Sequence, residues 1–154
     1  MNDKKGPSPL RGEVGAAKPR RVGTVDLPMP SKAWQWLGLT LVDSGDGYAT
    51  VEMTSTEDMT NHSGFVHGGM ISTLADSAMG RSLRTVQPGV ARAMSFDLKL
   101  SFINAAKIGE TLRATGRVVH AGRRTMVADC RVEGRGGRLI ATASATFAVT
   151  REKE

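Results

Sequence analysis

The chain has 154 residues, 40% hydrophobic and 23% charged, a length that supports one domain with a real core and is short for two. Its formal net charge of +6 is concentrated at the start: within residues 1–23, Lys4, Lys5, Arg11, Lys18, Arg20 and Arg21 face only Asp3 and Glu13, which leaves +2 for the rest. That near-neutral remainder argues against a basic groove for DNA or RNA, and the single cysteine, Cys130, excludes an internal disulfide framework and fits a reducing compartment.

No apolar run approaches a membrane span and the first residues lack the apolar core of a signal peptide, so the expected setting is cytoplasmic, with no membrane or nucleic-acid partner. Residues 1–28 are rich in Gly, Pro, Lys and Arg without either hydrophobic period, which predicts a disordered basic tail. The folded domain is expected over 29–150, followed by a charged end over 151–154. Ser31 is placed to cap a short helix over Lys32–Leu37 that Gly38 ends. Leu39–Asp43 and Tyr48–Met53 flank the turn-rich Ser44-Gly45-Asp46-Gly47 and read as a hairpin. A helix from Gly68 to Val86 follows, about 30 Å long at 1.5 Å per residue, with Gln87-Pro88-Gly89 as its stop.

From Met94 the pattern alternates, with Met94, Phe96, Leu98, Leu100 and Phe102 expected on one face and Ser95, Asp97, Lys99 and Ser101 on the other. Three more strands follow: Glu110–His120; Arg124–Glu133, with Met126, Ala128, Cys130 and Val132 inward; and Arg138–Thr150, with Leu139, Ala141, Ala143, Ala145, Phe147 and Val149 inward. Two strands, one long helix and four strands joined by short turns predict an α+β fold, an antiparallel sheet wrapped around the central helix.

The stretch Asn61-His62-Ser63-Gly64-Phe65-Val66-His67-Gly68-Gly69 leads into that helix, so the backbone amides of Gly68, Gly69 and Met70 should present unsatisfied N–H groups to an oxygen that carries negative charge. Asp76 then places a carboxylate among Leu74, Ala75, Ala78 and Met79, which belong in a core. Polarising amides and a carboxylate are two of the parts acyl-transfer hydrolysis requires. Gly69 and Asp76 lie about 10 Å apart along one helix axis, too far to meet one carbonyl carbon. If they cooperate, they come from two chains related by a two-fold axis, and the stripe Ser72, Asp76, Gly80 would let a second backbone approach.

Asn61 followed six residues later by His67-Gly68-Gly69, with Asp76 nine beyond the histidine, resembles the PaaI-like branch of the hotdog-fold acyl-CoA thioesterases. The resemblance spans roughly residues 35–150 and includes Gly122-Arg123-Arg124-Thr125 and Leu139-Ile140-Ala141. It implies the hotdog fold, an acyl-CoA substrate, no cofactor, and a homo-oligomer, a tetramer built as a dimer of dimers. It also implies that the Gly69 amide polarises the thioester carbonyl, Asn61 orients the site, and Asp76 of the neighbouring subunit acts as nucleophile or general base. Ser95 is the match for a serine that places the water. Arg123 and Arg124 are matched to binding the phosphates of CoA, with Lys107 and Arg92 as further candidates, and Gly68 to substrate binding.

Blander readings stand beside these. Gly68 and Gly69 alone would be a tight helix entry, and His67 at the helix start suits a loop-orienting hydrogen bond better than a base. His62, His67 and Asp76 match no usual metal site, so no metal is expected. Asp97 and Asp129 fall on polar strand faces, and Cys130 on an apolar one as inert core. The competing functions are an enoyl-CoA hydratase, whose relatives carry an Asp and His pair at another spacing, and a non-catalytic module that binds acyl-CoA. The acyl group itself, aryl-acetyl or medium-chain, depends on pocket volume.

Overall fold

A computed structural model describes residues 31–86 and 90–151; the expected tail over 1–28, the Gln87-Pro88-Gly89 stop and residues 152–154 lie outside it. Helix α1 covers Lys32–Leu37, with Ser31 accepting the Trp34 N–H and Gly38 closing the other end at φ 61. Strands β1 (Thr40–Gly45) and β2 (Tyr48–Thr54) follow. Their connection is tighter than the four-residue linker expected: only Asp46 and Gly47 turn, both at positive φ (37 and 87), the backbone a two-residue hairpin needs to match strand twist.

Helix α2 runs Gly68–Val86, as the Gly pair and the proline suggested, and β3 (Val90–Phe102), β4 (Thr111–Ala121), β5 (Thr125–Glu133) and β6 (Leu139–Arg151) complete one antiparallel sheet in the order β1-β2-β4-β5-β6-β3. This is the hotdog arrangement. Ile71, Leu74, Ala75, Ala78, Met79 and Leu83 of α2 are buried against Val51, Met53, Leu112, Ala114, Met126, Ala128 and Val132. The closest approach is at Gly116 of β4, where an added Cβ would stand 2.6 Å from the backbone of Ala78 and Met79. The C-terminal end of α2 is tied to the first hairpin by the Gly47 N–H, which donates to Thr85 Oγ1 at 2.8 Å.

The expected faces of β3 need a correction. Ser95 pairs with Phe147 and Asp97 with Thr146, so Phe96 is an extra residue that forms a bulge. An unpaired residue in a ladder reverses which side chains face which way, and directly paired residues share a face. Ser95 therefore joins the buried Phe147 on the helix side, Met94 pairs with Ala148 on the outer side, and Leu98, Leu100 and Phe102 return to the helix side with Ala145, Ala143 and Ala141. The smaller irregularity between Val132 and Glu133 buries Ile140 and leaves Leu139 partly exposed, where alternation put Leu139 inside.

The sheet ends at β3, and among the described residues no strand pairs with its outer edge. Met94, Phe96 and Phe102 are 63%, 64% and 56% exposed, an apolar edge of thirteen residues that soluble proteins normally pair or shield.

Candidate active site

The loop before α2 is shaped by Asn61. Its N–H donates to the Phe65 carbonyl at 2.8 Å and its carbonyl accepts from the Gly64 N–H at 3.1 Å. Its side-chain Oδ1 accepts from the Ser63 and Phe65 N–H groups at 2.8 and 3.1 Å, a local bonding pattern for which Asn is suited. The oxygen of Asn61 is thus spent on the loop, and Nδ2 is left as the donor that can reach a ligand.

His67 is the residue just before α2. Its N–H donates to Met59 at 2.7 Å, its carbonyl accepts from Met70 at 2.9 Å, and its Nδ1 accepts the Gly69 N–H at 2.9 Å. The imidazole therefore does the work of an N-cap side chain, in the form whose proton sits on Nε2. This conformation engages the very amide that the family resemblance assigns to the substrate carbonyl. The Gly68 N–H, by contrast, has no partner among the described residues. Both glycines carry a ring against their Cα: an added Cβ would lie 3.0 Å from Phe102 Cζ at position 68 and 3.0 Å from His67 Nδ1 at position 69.

Asp76 lies seven residues beyond Gly69 on the same face of α2 and is half-buried. Burial raises its pKa, and a hydrogen bond with Ser95 offsets only part of that rise. The β3 bulge is what brings Ser95 to this carboxylate. Oδ1 of Asp76 is buried and has no hydrogen-bond partner among the described residues, a costly state for a carboxylate that ordinary folding does not require.

Asn61, His67, Gly68 and Gly69 are thus gathered at one end of α2, and Asp76 with Ser95 farther along it. Arg123 and Arg124 are not brought there by their own chain. Arg124 sits beside Val149 of β6, whose N–H donates to its carbonyl at 2.9 Å, whereas Gly68 sits beside Phe102, which pairs with Ala141; eight strand residues separate the two levels, about 25 Å. Cys130 is buried, its thiol pushed up to about 12 by burial and by Asp129, which is inert core. Among the described residues no three His, Cys, Asp or Glu side chains gather to hold a metal, and no helix is long and apolar enough to cross a membrane. The sequence reading passed over Phe102 as a lining residue and over a cluster at Glu110, whose only sequence signal is the glycine-rich turns around it.

The pattern of the thioesterase superfamily matches residues 63–141. The chain is 30% identical over 126 residues to the acyl-coenzyme A thioesterase PaaI of Escherichia coli, covering 73% of this chain and 88% of that one. It is 33% identical over 85 residues to human acyl-coenzyme A thioesterase 13, covering 55% and 60%. Among solved structures, the E. coli PaaI protein superposes with a TM-score of 0.73 at 28% identity over 78% of this chain and 85% of that one. A Streptococcus mutans protein bound to acetyl-CoA superposes with a TM-score of 0.69 at 30% identity over 75% and 91%. With the fold, the helix-start glycines and the helix carboxylate all in place, the chain belongs to the thioesterase superfamily, as a thioester hydrolase of the PaaI-like hotdog branch.

Proposed function

We propose that the protein hydrolyses acyl-CoA thioesters to a free acid and CoA in a site shared by two copies of the chain. The observation that carries this reading is the half-buried Asp76, with one oxygen unpartnered, on the same helix as the free Gly68 amide but about 12 Å from it by helix geometry. One chain holds the two parts of a hydrolytic site too far apart to use together, and an antiparallel partner helix supplies the missing one to each. The uncovered apolar edge of β3 is the surface that such a pairing would bury.

In this reading the thioester carbonyl accepts from the start of α2. The Gly68 N–H is available as the chain stands, Gly69 joins it if the His67 ring turns away, and Asn61 Nδ2 is the further donor. Asp76 of the other copy acts in one of two ways. As a general base it takes a proton from water held by Ser95; the resulting hydroxide adds to the carbonyl carbon, the C–S bond breaks, and the thiolate of CoA takes up a proton. As a nucleophile it attacks the carbon itself, expels the thiolate and forms a mixed anhydride that water then cleaves. Either route stabilises the same oxyanion at the helix start.

Aryl-acetyl and medium-chain acyl groups are the two substrate classes proposed, entering beside the exposed ring of Phe102, and a dimer of such dimers is the proposed assembly. The relative from the phenylacetic acid degradation operon and the one bound to acetyl-CoA support a CoA thioester as substrate. The test is a panel of acyl-CoA substrates compared by kcat/KM with a free-thiol readout. Turnover of one class well above the rest supports the reading, and tight binding without thiol release on any substrate contradicts it.

A further inference from the structure

The densest polar cluster away from the site is accounted for by the fold. Glu110 accepts from the Lys107 N–H at 3.0 Å, from the Arg135 N–H at 2.8 Å and from Arg138 Nη2 at 3.0 and 3.1 Å, and so fastens its two turns to each other. Gly80 of α2 has no such task. It lies well inside the 19 residues of the helix, where glycine is less favourable than any residue but proline. At Gly68, Gly69 and Gly116 a Cβ would stand 3.0 Å or less from a ring or from backbone, which accounts for the missing side chain. At Gly80, outside the helix's own backbone, it would meet only Phe147 Cε1 at 3.9 Å among the described residues, an ordinary contact. The backbone there has no positive φ. Packing within the chain therefore does not call for glycine at this position.

The bare position is next to the carboxylate of the site. Gly80 is one helical turn beyond Asp76, on the same face and about 6 Å farther along the axis. Ser95, which hydrogen-bonds Asp76, pairs with Phe147, and the Phe147 ring is the group that lies beside Gly80. The two arginines near it on α2 each have a partner of their own: Arg81 stacks over the Trp34 ring, 4.7 Å from its centroid, and Arg84 Nη1 donates to the Val90 carbonyl at 3.1 Å. With both so engaged, the backbone at Gly80 stays bare and partly exposed. In the other direction along the same face stands Ser72, whose hydroxyl donates to the Gly68 carbonyl at 2.8 Å. The open place is thus on one side of Asp76 only.

We propose that Gly80 sets the acyl specificity of the enzyme: the volume left by its absent side chain receives the part of the acyl group that extends beyond the α-carbon, with the Phe147 ring as an apolar wall. The proposal rests on the acyl-CoA reading and on Asp76 as the group that acts at the carbonyl. It does not depend on which chain supplies the carboxylate, because Gly80 travels with Asp76 on one helix. An acetyl group ends short of Gly80, whereas a phenylacetyl ring or an octanoyl chain lies across it, and a single added methyl group in such a pocket discriminates between them. The competing use of a bare helix position is the close approach of a second backbone, which predicts a different outcome.

The experiment uses the full chain with Gly80→Ala and Gly80→Leu, and acetyl-, phenylacetyl- and octanoyl-CoA with a free-thiol readout. Gly80→Ala is expected to raise the melting temperature by about 3 °C, since alanine is the better helix former and its Cβ has room. The ratio of kcat/KM for either larger substrate to that for acetyl-CoA is expected to fall on the order of tenfold in Gly80→Ala and further in Gly80→Leu, with the association state in sedimentation unchanged. In parallel, calorimetry compares octanoyl-CoA with free CoA on Asp76→Asn chains with and without Gly80→Leu, and the added affinity of the octanoyl group is expected only without it. The proposal is overturned if both ratios keep their wild-type values in the two variants, or if the wild type turns over acetyl-CoA alone. It is also overturned if Gly80→Ala changes the association state and lowers all three substrates alike, as a helix-approach role requires. Loss of the octanoyl affinity in Gly80→Leu, without turnover of any acyl-CoA by the wild type, would leave the Gly80 assignment standing and remove the hydrolytic reading.

Discussion

His67 Nδ1 accepts the Gly69 N–H at 2.9 Å, so the side chain that precedes the central helix occupies the second amide of that helix and leaves the first one open. The histidine thus distinguishes the two glycine amides, one engaged in the cap and one without a partner among the described residues. His67→Asn keeps a side-chain oxygen suited to the N-cap position, whereas His67→Phe keeps a ring without an acceptor. The Asn variant is expected to retain stability within about 0.5 kcal/mol and the Phe variant to lose about 1 kcal/mol. Faster hydrogen exchange at Gly69 in the Phe variant alone is the accompanying signature. Equal protection in both would contradict the capping role.

Asp76→Asn is expected to lower kcat on the order of a hundredfold or more while the fold persists, because one group performs the attack or activates the water. The same variant has a stability signature with a definite sign. Burial raises the folded-state pKa of Asp76 above its unfolded value, so folding favours the protonated form. The penalty for holding the charged form grows as pH rises through the folded pKa and vanishes below the unfolded one. Thermal melts should therefore show Asp76→Asn more stable than the wild type at pH 8, with the gap closing toward pH 3. A gap that widens on acidification would contradict the burial account.

Gly116→Ala places a Cβ 2.6 Å from the backbone of Ala78 and Met79. Helix backbone cannot move aside as the tip of a side chain can, so this single methyl is expected to cost about 3 kcal/mol in chemical denaturation. Gly68→Ala and Gly69→Ala meet only the rings of Phe102 and His67 and should cost less stability but more activity.

Glu110→Ala strips the partners from two backbone N–H groups and from Arg138 at once, and is expected to cost about 3 kcal/mol. The sign with pH is opposite to that of Asp76. The folded pKa of Glu110 is depressed, so its stabilisation is present above the unfolded pKa and is lost as pH falls through the folded one. The difference between wild type and Glu110→Gln should shrink on acidification, and a constant difference from pH 7 to pH 3 would contradict the charged role.

The two helices and the succession of strands along the chain were legible because local signals agreed with the global fold: Ser31 and Gly38 punctuate α1, and glycines and proline bracket α2. The bulge at Phe96 was not legible. Phe96 is apolar and sits on an exposed edge, so the alternation from Met94 to Phe102 continues in the sequence through a point where the backbone breaks it. Strict alternation would send Ser95 to solvent, and only the family resemblance nominated it for the site. The Glu110 cluster was invisible for another reason: it joins two turns 25 residues apart through backbone N–H groups, which no spacing rule reports. The cap on Gly69 depends on a side-chain rotamer, although a histidine directly before a helix is its only prerequisite.

The central claim is that each site draws its carbonyl donors from one chain and its carboxylate from another, and subunit mixing tests it most directly. Asp76→Asn removes the carboxylate. Asn61→Asp keeps the Oδ1 that accepts the Ser63 and Phe65 N–H groups, and so keeps the loop, but removes the Nδ2 donor. Each variant alone should be nearly inactive. In a hybrid dimer one site collects both defects and the other receives intact Asn61 with its helix-start amides from one chain and intact Asp76 from the other. Verified hybrids are predicted to regain activity up to one wild-type site per dimer, and hybrids as inactive as their parents would contradict the shared site.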